Sequence, residues 1–437
     1  MMRPADLSRQ GITLHRAAVA AIWALPVFLF YGRAIADILV TSTGLMFLLH
    51  SALSRDWAWT RRRWVWCALA FWLVQLLASA ITGPAHSVLQ ALAVIRLFLF
   101  VAALEAWVLP GCSAQRGLRL VFVVLAAWVV LEVWQQYAFG TNLLGYGRWT
   151  DGALTGPFEK PRAGAILVSL AVPAVFPLVI RVLQRASPAT SALAASCFVL
   201  LLATMMLAGQ RMPTLLMVLA MTLTGALVPR LRRPLLIAAG VAIAALLALP
   251  VLSPPAYAKL VVKFAEQMAN FPDSPYGQLY VRAAVMVGMN PLYGLGFDGF
   301  RALCPSPQYF HALPALGIVN TEIGAAACNI HPHNYYMEVA VMGGLTGLLA
   351  FVAMVALWLR RLLLALRPSA NPEQAMLLAA FVTVVWPFAS TSSLFTFDTA
   401  GWAMLITGWA LATSRPADSL YSAGMARRSG AFSSDVS

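Results

Sequence analysis

The sequence predicts an all-α, polytopic membrane protein with about twelve crossing helices and a helical subdomain outside the bilayer. Three observations carry this expectation. Hydrophobic residues make up 61% of the 437 and charged residues 11%, whereas soluble domains carry about 25% charged. Apolar stretches of roughly 17–23 residues recur, the length that crosses a hydrocarbon core of about 30 Å. The net charge of +14 is concentrated in alternate connections.

Taken in order, the expected spans are 17–32, 34–53, 64–82, 88–110, 120–140, 164–183, 190–208, 213–229, 235–252, 335–358, 375–392 and 400–413. Residues 1–16 are polar and basic, and no small-residue cleavage site follows the first apolar segment, so no cleavable signal peptide is expected. Spans one to nine (1–252) enclose one long outer loop, "TNLLGYGRWTDGALTGPFEKPRAG" (141–164), rich in glycine, proline and aromatics. Residues 253–334 form the outer subdomain. Within it "AYAKLVVKFAEQMANF" (256–271) and "GQLYVRAAVMVGMN" (277–290) have helical periodicity, and "PLYGLGFDGFR" (291–301) is a turn region. Residues 335–413 hold the last three spans. The Ser/Ala/Gly-rich tail, 414–437, has the composition of a disordered segment.

With this threading, 20 of the 30 basic residues fall on one side. The positive-inside rule makes that side cytoplasmic, together with both termini, and the expected location is the bacterial inner membrane. The charge is therefore topological, and nucleic acid is not an expected partner. Basic residues on the other side lack that explanation. Arg148, Lys160, Arg162, Arg211, Lys259, Lys263, Arg282 and Arg301 lie there, and positive charge in that place calls for an anionic substrate. Cys304 and Cys328 share the outer subdomain, an oxidising setting in which a disulfide between them is expected. Cys67 and Cys197 read as packing residues within spans.

His333 and Asn334 open the tenth span at its outer end. Nine residues follow before Gly344 and Gly347, while Gly343 and Gly347 share a helix face that admits a close neighbour. Pro332 separates His331 from the helix start, so His331 reads as structural. Arg211, in "LAGQRMPTLLMV", sits in an apolar hairpin where a guanidinium needs a cavity, a partner or a ligand. There is no DxD or DD pair, no GxxxxGK[ST] phosphate loop and no GxSxG elbow. Those absences argue against a metal-held nucleotide donor, ATP hydrolysis and a serine hydrolase. No cofactor or metal is called for. Glycosyl transfer from a lipid diphosphate fits the inventory: arginine forks match the diphosphate oxygens, and a neutral imidazole takes the acceptor proton.

"HNYYMEVAVMGGLTG" resembles the H[NSQ]-x9-GxxG signature of the bacterial O-antigen ligase family, within the O-antigen ligase/polymerase superfamily. "LYVRAAVMVGMNPLYGLGFDGFR" resembles that superfamily's arginine helix followed by PLxGxGxxxF, and "GQRMPTLL" its arginine hairpin. In the hairpin the usual Ser-Arg-small pattern is replaced by Gln210-Arg211-Met212. The strong resemblance covers about 206–218 and 279–351. It implies a metal-independent, inverting glycosyltransferase of the membrane-embedded C type. The implied donor is O-antigen polysaccharide on undecaprenyl diphosphate, the implied acceptor the lipid A–core oligosaccharide. By motif, Arg211 and Arg282 hold the diphosphate, His333 activates the acceptor hydroxyl, and Asn334 orients or caps the helix start. Arg148, Lys160, Arg162 and Arg301 are further candidates for glycan or phosphate. A polymerase or protein glycosyltransferase would share these parts. The moderate outer subdomain and the His333-Asn334 signature favour the ligase. A transporter or lipid flippase is the alternative of another class, with Arg96 inside a span as its pointer.

Overall fold

The computed structural model describes residues 4–414 apart from 85, 186, 311–323, 325–327 and 368–370, with side chains from residue 11 onward. The tail expected to be disordered lies almost wholly outside the described residues, as does part of the outer subdomain. Among the described residues the chain is helical throughout, with a single isolated bridge between Thr141 and Gly147.

Among the described residues, nine helices are long and apolar enough to cross a membrane: Gly11–Tyr31, Arg33–Ser54, Arg63–Ile81, Ser87–Val108, Cys112–Phe139, Ala163–Leu183, Pro188–Ala208, Pro229–Leu252 and Tyr335–Leu364. Three shorter helices, Arg211–Leu227, Pro372–Val384 and Phe397–Thr413, occupy the remaining expected segments. The eleventh segment, expected over 375–392, is cut short. Its helix ends at Val384, Pro387 follows, and residues through Thr396 run as a non-helical strap. Proline lacks the amide that a continuing helix requires.

Local chemistry fixes the turns that matter for the site. Ser187 and Thr190 form a capping box at the start of Pro188–Ala208, which supplies two otherwise orphaned helix-start donors with partners. Gly209 ends that helix at φ +65°, a left-handed conformation that glycine adopts without steric cost. The chain then turns through Gln210 alone before Arg211 begins the next helix.

The Tyr335–Leu364 helix is broken at Gly344, where φ is +62° and ψ −163°. The kink frees carbonyls for the outer subdomain. The Leu295 and Gly296 amides donate to Val341 and Met342 oxygens at 2.8 and 2.9 Å, and Leu345 donates back to Pro291 oxygen at 2.7 Å. A Cβ on Gly344 would stand 2.5 Å from Leu292 oxygen, and one on Gly294 2.5 Å from the Gly344 nitrogen. These two glycines therefore meet backbone to backbone. Gly343 and Gly347 serve another contact. Their bare faces receive the Gln75 side chain of the Arg63–Ile81 helix, whose Nε2 would lie 2.6 and 3.3 Å from added Cβ atoms.

In the outer subdomain, Cys304 and Cys328 are joined by a disulfide. Arg282, on the Pro275–Met289 helix, is 2% exposed. Its Nη1 donates to Cys304 oxygen at 3.2 Å and its Nη2 to Gly324 oxygen at 3.0 Å, while Phe310 stacks on the guanidinium at 4.1 Å. Elsewhere, Arg96 pairs with Asp37 at 3.0 Å between the second and fourth spans. That pairing gives the intramembrane arginine a structural partner.

Candidate active site

Residues 333–338 hold the strap at several points between Val385 and Leu394. Asn334 is the N-cap of the Tyr335–Leu364 helix: its Oδ1 accepts from the Tyr336 and Met337 amides, and its Nδ2 donates to Pro387 and Ala389 oxygens at 2.7 and 3.3 Å. Tyr336 hydroxyl donates to Val385 oxygen at 2.7 Å, and the Leu394 amide donates to Glu338 at 2.9 Å. The Thr391 amide donates to His333 oxygen at 2.9 Å. His333 itself sits at φ +56°, a conformation uncommon for a residue with a side chain.

That strained backbone places the imidazole between His331 and Tyr276. Their ring centroids lie 4.2 and 5.5 Å away, both nearly perpendicular. His333 Nδ1 is 3.1 Å from Thr391 oxygen, and Nε2 is 3.1 Å from Asn329 Nδ2. A carbonyl oxygen only accepts, so Nδ1 carries the proton and Nε2 presents its lone pair, which the Asn329 amide satisfies. Burial lowers the His333 pKa from its ordinary value, with the Thr391 hydrogen bond acting in the other direction. Burial, then the neighbouring His333, pushes His331 down to about 4. Both rings are neutral at neutral pH.

His333 lines a cavity of about 350 Å³ whose other walls include Gln210, Tyr276, Tyr335, Thr391 and Asp398. Asp398, one residue into the Phe397–Thr413 helix, pairs with Arg162 at 2.9 Å and also with Arg33. Two guanidinium groups thus meet one carboxylate on the cavity wall. Such planar forks match phosphate oxygens as well as carboxylates.

The sequence-expected residues divide. The structure brings Arg162 to the His333 cavity through Asp398. It places Arg211 next door: Gln210 and Met212 line the His333 cavity, whereas the Arg211 side chain heads a separate apolar groove of about 260 Å³. That groove has Leu202, Met206, Leu246 and Phe264 on its walls, and Arg211 Nη1 bonds Gln267 Oε1 at 2.5 Å. Helix geometry separates the two sides, since successive residues of a helix point about 100° apart. Arg282 does not reach His333. It shares a helix with Tyr276, but six residues on, and its guanidinium is enclosed by the carbonyls and Phe310 described above. Burial lowers its pKa. Arg211, Arg282 and His333 each have their own partners: Gln267 for Arg211, the Cys304 and Gly324 oxygens and Phe310 for Arg282, and Asn329 and Thr391 for His333. Arg148 bonds Tyr137 oxygen at 3.1 Å, outside the cavity, and Lys160 and Arg301 are exposed. Asn334, expected to touch substrate or to orient the helix, has both side-chain ends committed to backbone groups.

Sequence reasoning passed over Asp398 and Tyr276, and gave no site role to Gln210 of the arginine hairpin or to Arg33 in its short outer turn. Asp398 carried a signal, since only 16 acids occur in the chain and this one stands close to the start of the twelfth expected span. Among the described residues, no three His, Cys, Asp or Glu side chains gather as a metal-binding set.

Residues 196–352 match a family model described as O-antigen ligase. The matched region holds Arg211, Arg282 and His333 and ends before Asp398. No curated protein matched the chain.

Proposed function

We propose, from the match of residues 196–352 to a family model described as O-antigen ligase, that the chain transfers O-antigen polysaccharide from undecaprenyl diphosphate to the lipid A–core oligosaccharide. The reaction runs at the outer face of the bacterial inner membrane. His333 Nε2 removes the proton from an acceptor sugar hydroxyl as that oxygen attacks the anomeric carbon of the donor. The bond from that carbon to the diphosphate breaks on the opposite side, so configuration inverts and undecaprenyl diphosphate leaves with the bonding electron pair. Asn329, exposed and bonded to Nε2, marks the position the acceptor hydroxyl takes.

The observation that carries this reading is the fixed tautomer of His333 on the wall of a cavity beside Arg33 and Arg162. An imidazole held neutral, with its lone pair on the exposed Asn329 amide that an acceptor hydroxyl would displace, has the character of a general base. The guanidinium forks balance charge on the departing diphosphate without a metal. Arg211, at the head of an apolar groove between helices, supports a lipid-linked donor: the groove takes part of the polyprenyl chain and Arg211 the near phosphate. In this reading Arg282 acts from a distance by fixing the disulfide-braced shell above the cavity.

The test is a two-substrate assay of purified protein in detergent with lipid-diphosphate glycan, lipid A–core and a chelator. Ligase activity yields glycan joined to core, and His333→Ala abolishes it while lipid-linked polymer is retained. Elongation of the donor without use of the core would assign a polymerase instead.

A further inference from the structure

The end of the bundle opposite the His333 cavity holds a second recess, of about 430 Å³, that the transfer reaction does not use. Two of its lining residues, Arg62 and Arg361, converge on Glu105. This residue is fully buried within a π turn, Leu104–Val108, at the end of the fourth span, and both Arg62 and Arg361 ion-pair with it. Trp64 Nε1 also donates to it at 3.1 Å. Arg361 is braced from behind, its Nε donating to Ser414 Oγ at 3.0 Å and its Nη2 to Leu411 oxygen at 3.3 Å. The walls are aromatic: His50 stacks on Trp107 at 4.9 Å and Phe47 packs on Trp59 at 5.2 Å.

Trp59 borders more than the recess. On its other side begins an apolar groove of about 250 Å³ between the Arg63–Ile81 and Ser87–Val108 helices, lined by Trp64, Leu69, Ile95, Phe98 and Leu99. A polar recess at the bundle end and an apolar groove along its flank therefore share one tryptophan. The charge around them is unbalanced. Among the described residues, Asp56 lines the recess and Glu105 pairs with its arginines, against Arg62 and Arg361 in the recess and the exposed Arg55, Arg61, Arg63 and Arg360 close by in the chain.

We propose that this is a binding site for one anionic phospholipid, with the headgroup phosphate at Arg62 and Arg361 and an acyl chain in the groove. Basic pockets between membrane helices recognise anionic headgroups in this way, and tryptophans anchor at the same depth. Glu105 gathers the two forks at one carboxylate oxygen, and the excess positive charge discriminates against zwitterionic lipid. The apolar groove distinguishes a lipid from a free phosphate ion.

Thermal melts and native mass spectrometry of the full-length protein in neutral detergent test this, using phosphatidylglycerol, phosphatidylcholine of the same chains, and inorganic phosphate. Phosphatidylglycerol is expected to raise the melting temperature and to remain bound as one molecule, while the other two do neither. Arg62→Gln is expected to weaken its binding about five-fold, the loss of one basic contact. Leu99→Trp, which fills the groove, is expected to weaken it as well. The double variant Arg62→Gln/Glu105→Gln removes the buried carboxylate together with one partner, so the effect is read without a new unpaired acid. Arg230→Gln, another exposed arginine of this end, is expected to bind normally. Equal stabilisation by phosphatidylcholine, reproduction of the shift by phosphate, or undiminished phosphatidylglycerol binding in Arg62→Gln and the double variant would each overturn the proposal.

Discussion

His333 and Thr391 hold each other twice, through the Thr391 amide on the His333 carbonyl at 2.9 Å and through Nδ1 on the Thr391 carbonyl at 3.1 Å. One contact fixes the strained backbone and the other fixes the tautomer. Both come from the Thr391 main chain, so its side chain is not what sets the base.

Replacing His333 tests that base. His333→Ala and His333→Gln are expected to lower kcat by about 10²–10⁴-fold, the usual contribution of general-base catalysis, with donor binding kept. Glycan transfer to lipid A–core by purified variants is the measurement. Normal turnover at normal expression would remove His333 from the reaction.

The acid limb of the pH profile follows from burial. His333 titrates below the ordinary imidazole value of about 6.5, and only its neutral form accepts a proton. Activity is therefore expected to stay level from neutral pH down through 6.5 and to fall at lower pH. His331, with its pKa near 4, is neutral when folded. Its contribution to stability is complete above about 6.5 and is lost as the pH drops towards 4. A kcat/KM profile with its acid inflection above 6.5 would contradict the geometry.

Arg211 and Arg282 are expected to behave differently although both resemble family arginines. Arg282→Ala leaves two buried carbonyls without a donor, each costing about 1–3 kcal/mol, so it should chiefly lower the melting temperature. Arg211→Ala should chiefly raise the KM for the lipid-linked donor, and more so for long-chain than for short-chain prenyl donors. Thermal melts alongside kinetics separate the two. A stable Arg282→Ala with only a KM defect would return that residue to the diphosphate.

Asn334 positions both the helix start and the strap. Asn334→Ala is expected to cost about 1 kcal/mol for the cap and to lower kcat with little change in KM, because the strap carries the carbonyl that sets His333. Asn334→Asp, which keeps the cap acceptor and loses the donor to Pro387, separates the two effects. Restored stability with kcat still low is the expected pattern.

The helical architecture was legible because apolar length is read directly, and each of the twelve expected segments holds a helix. The strap from Trp386 to Thr396 was hidden behind the apolar run Trp386-Pro387-Phe388-Ala389 that prolongs the span before it, although Pro387 and the hydroxyl run Ser390-Thr391-Ser392-Ser393 mark the change. His333 stood out as an imidazole at a helix start. The partition at Arg211 did not, since it depends on which way one side chain leaves a two-residue turn. Arg282 appeared as a cation in a place without topological reason. Its burial among carbonyls follows from the disulfide-linked segment folding over it, a long-range contact that spacing along the chain does not encode. Asp398 and Arg33 lie 365 positions apart, beyond the reach of any local pattern.

The break at Gly344 has a consequence for how freely this protein can diversify. The outer subdomain is stitched to a membrane helix main chain to main chain, through residues 291–296 and 341–345, and the intervening Leu292 and Tyr293 side chains face outward, 59% and 56% exposed. Such a junction tolerates mutation of its decorations while forbidding any Cβ at its two crossing points. A lineage is therefore free to recolour this exposed surface without loosening the backbone junction beneath it.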